Sequence, residues 1–353
     1  MQAGERRQPG RAPRAVAATA ELEGLRGAYL ELLKLSLCDL AGPSTVSVWK
    51  HTDGTLLSRE LGADELDIRV AGVDWPLHGT TMAGLQRLDD LQTCVEAVVR
   101  DEVEGDLIEA GTWRGGASIL MRATLDALGA DRTVWVADSF QGFPTADEAL
   151  APIDYLAVPV DDVRANFARF GYEQGVRFVE GFFEDTLPGL ADQSWSVVRL
   201  DGDTYEATWT TLQALYPGLS AGGYVIVDDY GALEECRRAV DEFRAHHGIE
   251  DPIENVDWTC VHWRRSSSAA IEPGPPPRAP RAAPLQPVER AHRDAHVVSI
   301  HERNLMRDKE LLQDEIDHLR ERLAAAEREV AALRRHPLRG PRALTRRVRG
   351  LLP

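Results

Sequence analysis

The chain has few cysteines and no long apolar run. Its cysteines, Cys38, Cys94, Cys236 and Cys260, are too widely separated for a disulfide framework or a zinc-ligand pattern, so we expect buried free thiols. No stretch approaches the roughly 18–20 uninterrupted apolar residues that span a bilayer, and the Arg-, Pro- and Gly-rich start lacks the apolar core of a secretory signal. We therefore expect a cytoplasmic protein without a transmembrane segment.

The chain also has fewer positively than negatively charged residues. Asp and Glu number 57 against 40 Lys and Arg, which gives a formal net charge of -17. This acidic balance argues against a nucleic-acid binder and is more compatible with divalent cations and cationic ligands. Lysine occurs only at positions 34, 50 and 309, a coding bias that is typical of a GC-rich bacterium and says nothing about mechanism.

The 353 residues leave room for roughly two domains of about 150 residues each. Residues 1–20 show no periodicity and are expected to stay mobile. From Glu21 onward, apolar residues at three-and-four spacing predict an amphipathic helix that continues to Leu37, and a second helix is predicted from Thr81 to Asp101. These two helices form a predicted N-terminal helical lid on a domain that spans residues 21–265.

Between Asp106 and Arg264, short apolar runs alternate with helical stretches, which indicates a doubly wound α/β sheet. We predict seven strands, mostly parallel, of which the last two form a closing antiparallel hairpin. The predicted strands are Leu107–Ala110, Thr133–Asp138, Val176–Glu180, Ser196–Leu200, Gly223–Asp228, Pro252–Val256 and Trp258–Arg264. Because parallel strands share one carboxyl edge, ligands are expected there.

The C-terminal part changes composition twice. Residues 266–298 are rich in Pro, Ala and Arg and predict a linker. In 299–336, apolar residues at alternating spacings of four and three predict a coiled-coil helix, through which we expect a homo-oligomer or a coiled-coil partner. Residues 337–353 form a basic tail.

A glycine-rich turn follows the first predicted strand of the sheet, in the segment from Asp106 to Ser118. Its order, Gly-x-x-x-Gly-Gly, differs from the Gly-x-Gly-x-x-Gly of nicotinamide sites, and Glu109 lies two residues before the first glycine. An acid at that place would repel a pyrophosphate but favour the ammonium of an amino-acid tail, so S-adenosylmethionine fits better than NAD. Asp138, which ends the next strand, is placed to accept both ribose hydroxyls.

Four carboxylates lie at the ends of two further strands. Asp201 and Asp203 follow one strand, and Asp228 and Asp229 end the next. Unpaired, they would repel one another strongly in a partly dry site. A hard divalent cation relieves that repulsion, and an all-oxygen ligand set favours Mg²⁺.

An ordered series of motifs carries a family resemblance over about residues 21–264. The motifs are Asp74-Trp-Pro, Thr81-Met82, Arg87-Leu88, Glu109-Ala-Gly-Thr-Trp-Arg-Gly-Gly, Asp138-Ser-Phe-Gln-Gly-Phe-Pro, Gly181-Phe-Phe-Glu-Asp-Thr-Leu-Pro, Asp201-Gly-Asp and Asp228-Asp-Tyr-Gly. The series resembles the macrocin O-methyltransferase family, whose members methylate sugar hydroxyls of natural products and depend on S-adenosylmethionine and Mg²⁺. The resemblance implies the Rossmann-like class I methyltransferase fold and a small-molecule or glycan sugar acceptor. The coiled coil and its linker are not part of this pattern.

The resemblance also implies roles for individual residues. Asp201, Asp228 and Asp229 would hold the metal, and Asp203 would be the general base. The residues expected around the cofactor are Thr81, Met82, Glu109, Gly111, Thr112, Trp113, Gly116, Ser118, Asp138, Ser139, Gly142, Gly181, Phe182 and Phe183. The pattern alone leaves open whether Asp201 or Asp203 accepts the proton, and the loop residue His78 is an alternative base.

Three functional hypotheses follow from the sequence. The first is metal-assisted methyl transfer, in which the acceptor hydroxyl attacks the sulfonium methyl in line. A nicotinamide-dependent enzyme is the second, although the glycine spacing disfavours it. The third is a non-catalytic assembly protein in which the fold supports the coiled coil, although the four intact aspartates argue against it.

Overall fold

The computed structural model describes residues 12–50, 55–144, 154–267 and 271. The predicted coiled-coil helix 299–336, the basic tail 337–353, nearly all of the linker and residues 1–11 lie outside these ranges. Within them, no helix is long and apolar enough to cross a membrane.

The N-terminal part contains both helices and strands. Helix α1 (Ala12–Leu37) begins earlier than the predicted start at Glu21, so part of the segment 1–20 is helical. Three short strands, β1 (Val46–Lys50), β2 (Leu56–Glu60) and β3 (Trp75–Pro76), form an antiparallel sheet in the order β2-β1-β3.

This small sheet is not among the predicted elements. Helix α2 (Leu66–Val70) lies between its last two strands, and helix α3 (Leu85–Arg100) follows it. Because Gly84 is extended at the N-cap of α3, that helix starts at Leu85 rather than at Thr81. The segment predicted as a helical lid is therefore a mixed structure of helices and a sheet.

The main sheet has seven strands, as predicted, and their order is β6-β5-β4-β7-β8-β10-β9. The pairs among β4 to β8 are parallel, and β10 joins β8 and β9 antiparallel, so the closing hairpin is confirmed as well. The strands are β4 (Asp106–Ala110), β5 (Val134–Asp138), β6 (Val176–Glu180), β7 (Trp195–Leu200), β8 (Leu219–Val227), β9 (Glu254–Asn255) and β10 (Val261–Arg264).

Helices cover both faces of the sheet. Successive strand residues point to opposite faces, so Leu107 joins one apolar cluster and Ile108 joins the other. The helices of the main domain are α4 (Gly116–Leu128), α5 (Val160–Phe170), α6 (Phe183–Thr186), α7 (Tyr205–Leu215) and α8 (Glu234–His247). Residues of α1, α3, α4 and α5 belong to the first cluster, and those of α7 and α8 belong to the second. The central parallel strands β4, β5 and β7 are thereby buried on both sides, which is the doubly wound arrangement.

Candidate active site

The backbone places the candidate residues in one row. Beyond the ends of the strands, the amide of Gly111 donates to Ala137 O (2.9 Å) and that of Asp201 donates to Ala110 O (2.8 Å). The Asp228 amide donates to Leu200 O at 3.0 Å. Sheet hydrogen bonding therefore continues across β5, β4, β7 and β8 at their carboxyl ends, and it fixes where each of the following side chains begins.

Glycine is required where the β4–α4 turn crosses its neighbours. Gly111 has φ +90°, and a Cβ there would lie 1.7 Å from the carbonyl oxygen of Asp201. A Cβ on Gly116 would lie 2.6 Å from Thr80 O, to which the Gly116 amide donates at 2.9 Å. The turn therefore lies directly against the aspartate loop on one side and the segment before α3 on the other.

Asp138 organises the neighbouring turns. Its Oδ2 accepts the amides of Thr112 (2.8 Å) and Trp113 (3.3 Å), and its Oδ1 accepts the amide of Phe140 (2.8 Å). The next residue, Ser139, donates from Oγ to Gly142 O at 2.6 Å. Trp113 and Phe140 both have positive φ, 46° and 55°, which marks backbone strain at these turns. This hydrogen-bond network brings the predicted residues after β4 and β5 together.

Two further predicted segments reach this edge. The amide of Gly181 donates to Asp138 O at 3.0 Å and leads into the half-buried Phe182 and Phe183. In the segment before α3, buried Thr81 accepts the Ala83 amide on its Oγ1 (3.0 Å), and half-buried Met82 lies between them.

Three carboxylates form a cluster at the ends of β7 and β8. One oxygen each from Asp201, Asp203 and Asp229 lies within 4.8 Å of the others. Oδ2 of Asp229 is buried and makes no hydrogen bond. Asp203 has φ +58°, another strained non-glycine position. Burial and the nearby carboxylates, Asp203 first, raise the pKa of Asp229 well above its ordinary value. Because it combines closely spaced oxygens with an unpaired buried acceptor, this cluster fits a hard divalent cation.

Asp228 has a different environment. Its Oδ2 accepts from Nη1 of Arg87 at 2.5 Å, and its Oδ1 accepts from Nη2 of Arg199. Burial alone would raise the pKa of Asp228, but the two guanidinium groups outweigh it and the pKa is lowered. The resemblance assigns Asp228 to the metal, whereas the structure pairs both of its oxygens with arginines and leaves it outside the three-carboxylate cluster.

Arg199 connects the turn residues to the aspartates. Its side chain is 4% exposed, and its Nη1 donates to Glu109 Oε1 and to Asp201 Oδ2, both at 2.7 Å. The other oxygen of Glu109 accepts from Ser118. Burial raises the pKa of Glu109 to about 7 against the opposing effect of Arg199. Glu109, expected to face the ammonium of a cofactor, therefore has both oxygens paired within the protein.

Neither Arg87 nor Arg199 was among the predicted site residues. The signal for Arg199 is a single charged residue in β7, where all six positions are buried. A buried arginine needs anionic partners, so such a strand residue points to carboxylates on neighbouring strands. The alternative base, His78, is exposed and does not belong to the three-carboxylate cluster.

Comparison with known proteins identifies the family of the chain. The model of the macrocin O-methyltransferase (TylF) family matches residues 29–265. The chain is 45% identical over 263 residues to the 8-demethyl-8-(2,3-dimethoxy-alpha-L-rhamnosyl)-tetracenomycin-C 4'-O-methyltransferase of Streptomyces olivaceus, covering 70% of this chain and 96% of that enzyme. It is 42% identical over 257 residues to the mycinamicin III 3''-O-methyltransferase of Micromonospora griseorubida, covering 68% and 96%.

The solved structures include a similar enzyme. The O-methyltransferase NovP has 42% sequence identity to this chain and a TM-score of 0.60, and the match covers 69% of this chain and 100% of that one. These relatives favour neither a nicotinamide-dependent enzyme nor a non-catalytic assembly protein. The chain belongs to the macrocin O-methyltransferase family, and it is an O-methyltransferase.

Proposed function

We propose that this enzyme transfers a methyl group from S-adenosylmethionine to a hydroxyl of a sugar or of a glycosylated natural product, with the help of Mg²⁺. The observation that carries the proposal is the cluster of Asp201, Asp203 and Asp229 beside the glycine turn at the carboxyl edge of the sheet. Two relatives support the acceptor class, since their names specify a rhamnosyl-tetracenomycin and mycinamicin III.

For the cofactor, we propose the turns after β4, β5 and β6 together with the Thr81–Met82 segment. Gly111 and Gly116 leave no room for side chains, which lets the β4–α4 turn pack against the backbone of Asp201 and of Thr80 and brings these segments together. Asp138 keeps acceptor capacity beyond its amide contacts, because each carboxylate oxygen has two lone pairs. In this assignment Asp138 accepts the ribose hydroxyls. Glu109 acts indirectly, through its hydrogen bonds with Ser118 and Arg199.

For the cation, we propose Asp201 and Asp229 as the principal ligands. When bound, the ion supplies positive charge that lowers the pKa of the acceptor hydroxyl and orients the adjacent oxygen. Asp228 contributes a ligand only if one of its two arginine contacts is exchanged for the ion. Arg199 holds Asp201 by one oxygen, at 2.7 Å, so the carboxylate is oriented before any ligand arrives.

Asp203 is the proposed general base. Its backbone has a positive φ of 58°, and one of its carboxylate oxygens lies within 4.8 Å of an oxygen of Asp229. In the reaction Asp203 takes the proton of the acceptor hydroxyl while the oxygen attacks the sulfonium methyl in line. The S–CH3 bond breaks and S-adenosylhomocysteine leaves. Because this neutral thioether is a good leaving group, alignment of the acceptor is the main task of the surrounding residues.

The proposal is tested by mass spectrometry of reactions with a panel of glycosides, with and without EDTA and added Mg²⁺. Asp203→Asn should lower kcat by about 10²- to 10⁴-fold while calorimetry shows an unchanged affinity for S-adenosylmethionine. Asp192→Asn, at an exposed loop position, is the matched control and should retain full activity. Full turnover after metal removal would exclude the cation, and a loss of less than about tenfold in Asp203→Asn would move the base elsewhere, with His78 tested next.

A further inference from the structure

A second cluster of ligating side chains joins α3 to the closing strand β10. Asp90 and Cys94 are four residues apart on α3 and therefore lie on one face of the helix, and His262 lies in β10. One ligand atom from each residue lies within 4.8 Å of the other two. The cluster combines oxygen, sulfur and nitrogen, whereas the aspartate cluster of the active site offers oxygen only.

The three side chains converge in a mostly buried space. His262 Nδ1 lies 3.0 Å from each carboxylate oxygen of Asp90, and Cys94 Sγ lies 3.8 Å from Asp90 Oδ2. The side chains of His262 and Asp90 are 13% and 17% exposed, and Cys94 is buried. The ring of Tyr224 packs edge-on against the imidazole at 5.5 Å, which restricts its orientation.

The second imidazole nitrogen also faces a carboxylate. His262 Nε2 lies 3.6 Å from Oε2 of Glu254, whose side chain is 70% exposed. A histidine that binds a metal through one ring nitrogen usually donates its other N–H to a carboxylate, which fixes the tautomer. The imidazole is therefore oriented with Nδ1 toward Asp90 and Cys94, and Nε2–H toward Glu254.

We propose that Asp90, Cys94 and His262 bind Zn²⁺ or a similar transition-metal ion, with water completing the coordination. Thiolate, imidazole and carboxylate are the ligands that zinc prefers, whereas Mg²⁺ favours oxygen alone. Binding releases the thiol proton of Cys94, and the two charges of Cys94 and Asp90 balance the ion.

The ion has a structural role. It ties α3 to the edge of the sheet, and α3 also carries Arg87, one helical turn before Asp90. Since Arg87 donates a hydrogen bond to Asp228, the ion would stabilise the helix that positions this arginine without touching the reacting atoms.

Titration with Co²⁺ tests the proposal, because a thiolate bound to Co²⁺ gives a charge-transfer band in the near ultraviolet. The full chain, stripped with a chelator, should develop this band up to one equivalent. Cys94→Ser should lose the band, whereas Cys236→Ser, which changes another buried free thiol on α8, should keep it. Asp229→Asn should also keep it, which separates this site from the active site.

Zinc affinity, measured against a chromophoric chelator, provides the second readout. His262→Gln should weaken binding by at least tenfold, and Glu254→Gln should weaken it by about 10- to 100-fold through loss of orientation. If Cys94→Ser does not fold, the partly exposed His262 and Glu254 variants decide the question. A missing band, a band that survives in Cys94→Ser, or unchanged zinc affinity in His262→Gln would each overturn the proposal.

Discussion

Arg199→Met should be among the most destabilising single substitutions in this domain. Methionine keeps most of the buried volume but removes the charge that Glu109, Asp201 and Asp228 share. Glu109 and Asp228 are 2% and 5% exposed, so solvent cannot replace the lost partner. Breaking a buried ion pair by removing one member costs about 3–5 kcal/mol.

Urea unfolding followed by circular dichroism measures this loss. With a dependence on urea of about 3 kcal/mol/M, the midpoint should fall by roughly 1 to 1.7 M at pH 8. Arg100→Met is the matched control, because the Arg100 side chain is 69% exposed and pairs with its neighbour Asp101 on the surface. A surface pair of this kind contributes little, so its midpoint should hardly move.

A second variant identifies the cause. Adding Glu109→Gln to Arg199→Met removes one of the abandoned carboxylate charges and should restore part of the lost midpoint. Effects of residues in one network are not additive, so the comparison must include both single variants. A shift below about 0.3 M for Arg199→Met, or no recovery in the double variant, would refute the idea that Arg199 holds the buried carboxylates together.

Three further outcomes are expected. The pKa of Glu109 is raised from 4.5 to about 7, so its protonation stabilises the folded state below pH 4.5, and this contribution is lost as the pH rises through 7. The free energy of unfolding of Glu109→Gln should therefore lack a pH-dependent change of about 3 kcal/mol that the wild type shows. The same pH dependence in both proteins, measured by urea unfolding, would contradict this. Gly111→Ala should destabilise the protein far more than Gly129→Ala, although both glycines have positive φ. A Cβ on Gly111 would lie 1.7 Å from a backbone atom, whereas a Cβ on Gly129 would have nothing within 4 Å. Equal melting temperatures of the two variants would disprove the clash. A chain ending at Pro273 keeps Ile271 against the core and should retain methyl transfer. If residues 299–336 form the predicted coiled coil, light scattering should show fewer subunits per particle for this chain than for the full chain, and an equal number of subunits would contradict the prediction.

The row of aspartates could be predicted because it depends on two regular features of the chain. Parallel strands end at a common edge, and β7 and β8 each contain buried apolar residues and are followed by aspartates. The backbone hydrogen bonds of Asp201 and Asp228 continue the sheet, so their positions follow from strand order alone. What each carboxylate contacts was harder to predict, because the partners come from distant elements. Arg87 is 141 residues from Asp228 and lies on a helix whose periodicity gives no information about its partner.

The antiparallel sheet of β1, β2 and β3 was missed for a different reason. Its strands have five, five and two residues, too few for periodicity to distinguish them from loops. The alternating exposure of β2 follows from pairing with β1 rather than from a pronounced apolar pattern in its sequence, Leu-Leu-Ser-Arg-Glu. Tertiary context therefore decides this element, as is common for short strands.

The two arginines divide the acidic residues of the site by role. Glu109 and Asp228 have guanidinium partners and are almost fully buried, so their charges are already balanced within the protein. Asp229 has a buried oxygen without a hydrogen bond, and it lies beside Asp203 in a strained loop. One oxygen each of Asp201, Asp203 and Asp229 lies within 4.8 Å of the others, and Asp201 also accepts a hydrogen bond from Arg199. A cation at this cluster would relieve the repulsion among its three carboxylates, and the arginine pairs of Glu109 and Asp228 keep those two acids from competing for it.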